Sequence, residues 1–491
     1  MIETPWLKIQ GQLELLRNIW PKLDEEYQSH QSVVLEILHG KAQAVISLID
    51  SINRNANNEM SIQKRSKYAV KVKTNLKFVL NDLKDWSEVF DLSWYLILRL
   101  SNTELDQELR PISHGENSPL SKLRDLREAI TSNLKTQAEA EKKTVFLPQN
   151  FFANTHYTRL ESGPSILGVW FDAKTQTRYL IDQPSNTSTL PDVCKLAKIF
   201  KRVESLEFGI LACKGVAKFT TDGPATTSKA TSASVSASRF LFTIPSNLTE
   251  PQYRTLISWP YNYALDERFS ISKQAAKAVM FIHSVGFVHN NIRLETILIL
   301  RDQESRSGPQ AFLTRFQSFR LAGGLTLYQG DDEWEKNLYR HPERQGVSLD
   351  TVYSMQHDIY SLGVCLLEIG SGISFVQWND DKTTASPHPA IAEAMNSPQR
   401  DRRKKAFETK RALVKIAQEE LAPKMGRRFA ETVLTCLSCL DKTNNTFGAE
   451  SEFLDENGVL VRVRFIEKEW MIKIFLMQPL TMTGSDDAFG Y

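Results

Sequence analysis

The sequence predicts an α+β protein, in which an N-terminal α-helical bundle is followed by a unit with a small β-rich lobe and a large α-helical lobe. Apolar residues recur close to every 3.6 positions in residues 33–49 and again in 76–97, which is typical of amphipathic helices. From about residue 155, strand-like segments alternate with Gly, Pro and Thr, and helical patterns return from about residue 250. A chain of 491 residues is long enough for two or three domains.

The helical bundle is predicted over residues 1–135. Its longest pattern runs from Leu76 to Ile97, where one face is apolar and the other carries lysines and acidic residues. The polar residues 53–60 are predicted to be a loop between helices. Residues 136–154 are predicted to be a linker, because their first part is polar with interspersed alanines.

The β-rich lobe is predicted over residues 155–248 and the helical lobe over residues 249–491. In the helical lobe, residues 269–282 have the pattern of an amphipathic helix. In the β-rich lobe we expect a helix at 192–206 and strands at 166–171, 177–182, 215–219 and 239–244.

Composition restricts the class of protein. The chain has 60 Lys and Arg against 58 Asp and Glu, and this net charge of +2 gives no whole-molecule reason for nucleic-acid binding. We interpret the basic cluster at 400–405 as a solvated helix face. No run of about 18 apolar residues is present, and we expect neither a transmembrane segment nor a secretory signal. Five cysteines, sparse and odd in number, suit a reducing compartment, so we expect a cytoplasmic location.

The most informative segment is residues 286–298, which reads GFVHNNIRLETIL. Aligned from His289, it resembles the protein-kinase catalytic loop, H-R-D-L-x-x-x-N. The proton-accepting Asp of the loop then falls on Asn291 and its metal-binding Asn on Thr296, while Arg293 keeps the positive charge of the usual Lys. Because an amide has no basic lone pair near neutral pH, the resemblance implies a loop without its catalytic base.

Further segments follow in the order and spacing of a kinase C-terminal lobe. They are Arg315-Phe316-Gln317 in the place of Asp-Phe-Gly, Leu338–Glu343 for the Ala-Pro-Glu signature, and Gln356–Glu368 for the central buried helix. The resemblance implies packing between the lobes for His289 and Phe316, and support of the catalytic-loop backbone for the Asp of the buried helix. It gives structural roles to Phe316, Pro342, Glu343, Asp358 and Gly363, with an ion pair anchoring the activation segment through Pro342-Glu343.

The positions that handle metal and phosphate in kinases are changed. Arg315 puts a positive charge where the family's Asp binds magnesium, and a guanidinium cannot coordinate a cation. No V-A-I-K stretch is present. The most natural alignment puts Asp182 in the place of the phosphate-binding Lys, and a shifted alignment would bring Lys174 closer. The glycine-rich loop is reduced to Gly163 and Gly168.

The order of the domains resembles a fungal architecture, in which a helical domain of the HeLo or prion-inhibition-and-propagation type precedes a degenerate kinase-like domain. Residues 7–16 and 67–100 carry the helical part of this resemblance. It implies self/non-self or stress signalling. Membrane permeabilisation is not expected, because the chain begins with a charged, amphipathic segment.

Together these features favour a catalytically deficient kinase-like (pseudokinase) signalling or scaffold protein that binds protein partners. The alternatives are an atypical ATP-dependent Ser/Thr kinase with nonstandard active-site residues, and a helical-domain effector that self-associates. No cofactor is expected, although ATP could bind without magnesium through Arg315. No metal is expected either, because the C-x-x-C of Cys436 and Cys439 has no second ligand pair.

Overall fold

The structure is a computed structural model that divides into two compact units, with a boundary along the chain between residues 125 and 126. The fold is described for residues 3–23, 25–56, 74–76, 106–107, 109, 119–131, 145–152, 155–162, 165–182, 190–220, 223–224, 235–246, 251–258, 263–302, 308–316, 318–321, 332–345, 352–379, 384–399, 401–441 and 444.

The first unit contains helices α1 (Glu3–Ile19) and α2 (Glu25–Ala56), which are joined by a 3₁₀ turn at Trp20–Lys22. The side-chain amide of Gln28 caps this turn by donating to the carbonyl oxygens of Trp20 and Leu23, at 2.8 and 3.0 Å. Helix α2 continues to Ala56, so the first residues of the loop predicted at 53–60 are helical instead. The predicted helix at 76–97 lies outside the described residues, apart from its first residue. Helix α3 (Pro119–Thr131) crosses the boundary between the units.

The second unit begins with a six-stranded antiparallel sheet in the order β1-β2-β3-β6-β4-β5. Alternate side chains of the central strands form its core, in which Tyr179, Ile181, Ala217 and Leu241 pack with Phe152. The strands are β1 (Thr155–Ser162), β2 (Ser165–Asp172), β3 (Thr177–Asp182), β4 (Ala212–Thr220), β5 (Gly223–Pro224) and β6 (Val235–Thr243).

Residues 145–152, within the range predicted as a linker, pack on this sheet. Phe146 forms a β-bridge with Val216, and the N–H of Leu147 donates to the Val216 carbonyl oxygen at 2.9 Å. A Cβ at Gly215 would lie 2.8 Å from the Leu147 side chain, so this approach requires glycine. The described part of the predicted linker therefore belongs to the β-rich part of the fold.

The helix predicted at 192–206 is two helices, α4 (Leu190–Phe200) and α5 (Ser205–Phe208). The chain between them includes Glu204, whose extended backbone starts α5. Helix α5 ends at Gly209 in the left-handed region (φ +65°), where a Cβ would lie 2.9 Å from the backbone oxygen of Gln274. Only glycine combines this conformation with so close an approach.

Short strands are interleaved with the helices from residue 251 onward, a feature that the expected helical lobe did not include. Three of them form a sheet in the order β10-β9-β7, and the others pair as β11-β8 and β12-β13. The elements are β7 (Pro251–Thr255), α6 (Leu265–Ser284), β8 (Phe287–Val288), β9 (Ile297–Asp302), β10 (Gln310–Leu313), β11 (Arg320–Leu321), α7 (Trp334–Asn337), α8 (Met355–Ser371), β12 (Val376–Trp378), β13 (Ala385–Pro387), α9 (Pro389–Met395), α10 (Arg402–Met425) and α11 (Arg427–Leu437).

Helix α8 lies at the centre of this part of the chain, and all of its residues are buried. Gly363 lets it touch α11, because a Cβ at this position would lie 2.7 Å from the Cβ of Cys436. Cys436 and Cys439 are buried free thiols, and no cluster of metal-ligating side chains occurs among the described residues. The described elements form an α+β protein, as the sequence predicted. No described helix combines the length and hydropathy that crossing a membrane requires.

Candidate functional site

The loop that follows β8 is held by the carboxylate of Asp358, which is buried in helix α8. Its two oxygens accept the backbone N–H groups of His289 and Asn290, at 2.7 and 2.9 Å. They also accept the Tyr353 hydroxyl at 2.6 Å and lie 3.0 Å from Nε2 of His283. Burial pushes the pKa of Asp358 upward, but the hydrogen bonds from His283 and Tyr353 outweigh it and hold this pKa below its ordinary value. Asp358 therefore fixes the loop as a buried anion.

Asn290 has a left-handed backbone (φ +57°), which Asn tolerates better than most residues. Two N–H groups of the loop converge on the Asp358 carboxylate around this residue. Asn291, the residue in the place of the catalytic base, is partly exposed beside it. The loop thus has a fixed backbone and presents an amide, which is not a base near neutral pH, at its partly exposed position.

His289 lies in the interior and is neutral. Burial lowers its pKa to about 4, with the nearby carboxylate of Asp358 opposing the shift. Its Nε2 lies 3.0 Å from the carbonyl oxygen of Thr314, and because a carbonyl only accepts, this nitrogen carries the proton. The ring packs edge-on against Phe316 with 4.9 Å between centroids. His289 is therefore a packing residue with one fixed hydrogen bond.

An aromatic column continues from this contact into the sheet. Phe316 lies 4.9 Å from Phe200 of α4 and 6.0 Å from Phe242 of β6, measured between ring centroids. Phe200 and Phe242 are 5.8 Å apart, and all three rings are buried. Packed aromatic pairs stabilise by about 0.5–1.5 kcal/mol each beyond their area burial. The column joins the loop at His289 to helix α4 and the six-stranded sheet.

Thr296 is occupied by its own turn. Its hydroxyl donates to the Arg293 carbonyl oxygen at 2.8 Å and accepts the Arg293 N–H at 3.1 Å, which closes the 3₁₀ turn at Leu294–Thr296. The Thr296 carbonyl oxygen accepts the N–H and the hydroxyl of Thr314. The hydroxyl proton is thus committed to holding the local backbone.

Arg315 is buried, with 3% of its surface exposed, and its backbone is left-handed (φ +64°). Burial lowers its pKa to about 10, while the charges of Glu295 and Asp182 oppose this shift, so the guanidinium remains a cation at neutral pH. Asp182, at the end of β3, accepts the N–H of Phe316 at 2.9 Å. Glu295 is fully buried and lies 3.4 Å from the guanidinium of Arg293. Two buried cations and two buried carboxylates thus share one region, the ionic cluster Asp182–Arg293–Glu295–Arg315.

The other candidates lie apart from this cluster. Lys174, the alternative phosphate lysine, lies in the exposed turn before β3, whereas Asp182 ends that strand. Gly168 lies within β2, and Gly163 and Gln317 fall outside the described residues.

Pro342 begins a 3₁₀ turn in the Ala-Pro-Glu region. Glu343 in that turn lies 3.6 Å from Arg403 of α10, with 35% and 57% of the two side chains exposed. Exposed ion pairs of this kind contribute about 0–1 kcal/mol, so the geometry does not give this pair a strong anchoring effect.

Glu295 and Glu368 were missed by the sequence analysis. Glu368 lies in α8 and accepts the Phe375 N–H at 2.7 Å. Burial raises its pKa to about 8. A single Glu in the otherwise apolar end of helix α8 was the available signal, because carboxylates are rarely fully buried without a specific role.

The buried acids and bases predict a stability maximum near pH 6.5. Between pH 4.5 and 8 the folded chain keeps the Glu368 proton that the unfolded chain releases, so rising pH destabilises the fold. Below pH 6.5 the unfolded chain binds protons on His289 and His357, whose folded pKa values burial lowers to about 4 and about 3, so falling pH also destabilises it. From pH 6.5 to 8 the release of the Glu368 proton alone would cost about 1.6 kcal/mol, and the loss of protons from the two histidines in the unfolded chain offsets about half of it, so the net loss of stability should be about 1 kcal/mol.

Urea unfolding at pH 5, 6.5 and 8 measures this profile. Glu368→Gln keeps an oxygen to accept the Phe375 N–H but does not titrate, so the stability of this variant should no longer fall above pH 6.5, while it should still fall below pH 6.5. A fall of the same slope above pH 6.5 in the variant would show that Glu368 does not cause it.

Comparison with known proteins gives weak support for the resemblance to protein kinases. No protein-family model matches the chain. The chain is similar to dual specificity protein kinase lkh1 of Schizosaccharomyces pombe, with 26% identity over 139 residues. The match covers 26% of this chain and 19% of the length of that kinase. The similarity indicates a kinase-like element in part of the chain.

Proposed function

We propose that the chain is a catalytically deficient kinase-like protein that acts in signalling or as a scaffold. Its β-rich and helical parts are proposed to be the two lobes of a kinase-like fold. The observation that best supports a lack of catalysis is the ionic cluster. Where the kinase alignment requires a magnesium-binding carboxylate, a buried cation stands among carboxylates. A divalent cation at that point would be repelled by Arg315.

The remaining reactive positions agree with this proposal. The hydroxyl of Thr296 is engaged with Arg293, and Asn291 cannot accept a proton at neutral pH. Burial also removes the guanidinium of Arg315 from contact with a free phosphate, which argues against ATP held by Arg315 without magnesium. The aromatic column and the Asp358 hydrogen bonds hold the loop at His289 in one arrangement, which suits a scaffold.

Thermal melting of the purified protein tests the proposal. We expect its melting temperature to be the same with Mg-ATP, with ATP plus chelator, and with no nucleotide. A ligand that bound with a Kd about 100-fold below its concentration would stabilise by about 2.7 kcal/mol, which would shift the melting temperature by several degrees. An active protein kinase measured in parallel provides the positive control. A shift that requires magnesium would contradict the role given to Arg315.

The second candidate is an atypical ATP-dependent Ser/Thr kinase. The similarity to a dual specificity protein kinase favours it, as does the ordered contact of His289 with Phe316. Transfer of labelled phosphate from ATP to generic protein substrates, lost on Asn291→Ala, would establish this activity. Without transfer above a no-enzyme control, the scaffold remains the better reading.

The helical unit is proposed to be a HeLo-type or prion-inhibition-and-propagation-type domain of a cytoplasmic protein in self/non-self or stress signalling. Helix α2 leaves Ile46 and Ile49 exposed, at 58% and 42%, which offers an apolar patch for self-association. The mass of the full chain by light scattering, with and without Ile46→Glu, decides whether the patch is used. A monomer at high concentration in both samples would refute self-association.

A further inference from the structure

A cleft of about 570 Å³ lies away from the ionic cluster, between α7, the 3₁₀ turn at Pro342, the end of α9 and the start of α10. Part of its lining is apolar and buried, and it is supplied by Leu338, Pro342 and Ala406. Two larger apolar side chains, Trp334 and Met395, are half-buried at the same cleft. The volume falls within the range of ligand-binding sites, so the cleft has room for side chains of a peptide.

The start of α10 brings positive charge to this cleft. Arg402, Arg403 and Lys405 line it. Four consecutive basic residues occupy the first turn of α10 and no acidic residue does. Cations at a helix N-terminus oppose the helix dipole, at about 0.3–1 kcal/mol each. Asp401 offsets part of this effect by capping the N–H groups of Arg403 and Lys404. The placement of the basic residues therefore works against helix stability, which favours a role in binding.

The acidic residues at the cleft form weak ion pairs with its arginines, and an acidic ligand could displace them. Arg402 contacts Asp332 at 2.6 Å, with 78% and 55% of the two side chains exposed. Arg403 lies 3.6 Å from Glu343 in a pair that is less exposed but still reached by solvent. Such exposed pairs are weak, so a carboxylate of a ligand could take the place of Asp332 at Arg402, or of Glu343 at Arg403, at little cost in free energy. An arginine can also hold an incoming carboxylate through two parallel hydrogen bonds.

We propose that this cleft binds a short acidic peptide segment of a partner protein. In this arrangement an apolar side chain of the peptide packs against Trp334 and Met395, while neighbouring carboxylates bind Arg402 and Arg403. The combination of an apolar lining and a basic edge selects the partner, because neither a purely charged nor a purely apolar ligand would satisfy both. The proposal stands whether or not the chain transfers phosphoryl groups.

A peptide fits this cleft better than a nucleic acid does. Asp332 and Glu343 lie beside the basic residues, so a phosphodiester backbone, which carries a charge at every nucleotide, would place phosphates against both of them, whereas a peptide can carry carboxylates only opposite Arg402 and Arg403. A phosphodiester backbone offers no apolar group to pack against the apolar side chains of the lining. A peptide can place one apolar side chain against them.

Fluorescence anisotropy with the full-length chain tests the proposal. The probe is a labelled peptide of Glu and Asp around a central Phe-Leu pair, and its charge-neutral control replaces every acid with the corresponding amide. The double variant R402E/R403E should weaken binding of the acidic peptide by at least about tenfold, the effect of about 1.4 kcal/mol. Binding should also weaken as salt rises, since the charges are exposed.

Three controls make the outcome specific. Lys415→Glu reverses an exposed charge on the same helix outside the cleft and should leave the affinity within about twofold. Met395→Ala should weaken binding of the acidic peptide by about fivefold through lost apolar contact, the effect of about 1 kcal/mol. The double variant should gain affinity for a basic version of the peptide. All variants are first compared by thermal melting with the unchanged chain.

Several results would overturn the proposal. Equal binding of the acidic and neutral peptides, or an equal loss in Lys415→Glu, would show that no specific charge pairing occurs at the cleft. A short DNA duplex that binds more tightly than the peptide, and loses this binding in R402E/R403E, would assign the surface to nucleic acid. A second copy of the chain would be identified by a dimer in light scattering that R402E/R403E dissociates.

Discussion

Replacing Asp358 with alanine should lower the free energy of unfolding by about 4 kcal/mol or more. The change leaves the backbone N–H groups of His289 and Asn290 and the Tyr353 hydroxyl without their acceptor in the interior. Each unsatisfied buried group costs about 1–3 kcal/mol, and breaking a buried charged pair costs about 3–5 kcal/mol. Urea unfolding followed by tryptophan fluorescence measures the loss.

Two further variants keep this prediction decisive if the alanine variant does not fold. Asp358→Asn retains one acceptor oxygen and should lose about half as much. Asp401→Ala removes an exposed acceptor at the start of α10 and should lose only about 1 kcal/mol, the usual effect of an N-cap. A loss in Asp358→Asn no larger than that in Asp401→Ala would contradict the anchoring role of the carboxylate.

Reversing one charge of the ionic cluster should destabilise the fold, and reversing two should restore much of the loss. Asp182→Lys places a third cation near Arg315 and Arg293, and Arg315→Asp places a third carboxylate near Asp182 and Glu295. Each single change should cost about 3–5 kcal/mol. The double variant D182K/R315D restores the balance, so the coupling between the two positions should be at least about 2 kcal/mol.

Unfolding of the four proteins in this cycle gives the coupling directly. The exposed pair of Arg402 and Asp332 provides a matched comparison, because the same reversal there should change stability by less than about 1 kcal/mol. If the losses of unfolding free energy in the two single variants add to that of the double variant within about 0.5 kcal/mol, the charges at 182 and 315 do not interact, and the proposed ionic cluster is wrong.

Sequence periodicity predicted the position of helices and strands correctly where one element was continuous. The helix predicted at 269–282 lies within α6 at Leu265–Ser284, and the strand predicted at 177–182 has those bounds as β3. The break between α4 and α5 was missed, because the apolar pattern continues through it to Phe208 while Gly209 and Glu204 set the local backbone. The packing of 145–152 on the sheet was also missed, since it depends on Gly215 accepting a neighbour from a distant segment.

Motif spacing drew attention to residues of the ionic cluster but did not give their partners. Motif spacing identified Arg315 and Asp182 as the changed positions. It could not reveal that Asp182 holds the N–H of Phe316, because the two are 134 residues apart in sequence. Glu295 belongs to no periodic pattern, so its place near Arg315, 20 residues further along the chain, emerges only from the folded chain. Long-range partners of this kind depend on the tertiary structure, which local propensity does not encode.

The ionic cluster also bears on how this chain can change over time. A mutation that placed an acidic residue at position 315 would collect three carboxylates in one buried region, and a mutation that placed a lysine at position 182 would collect three cations. Either intermediate would lose much of the marginal stability that a folded domain has, about 5–15 kcal/mol in total. A charge reversal at one of these positions is therefore expected to be tolerated only when the other position changes with it. Asp182 and Arg315 are therefore expected to vary together among related sequences.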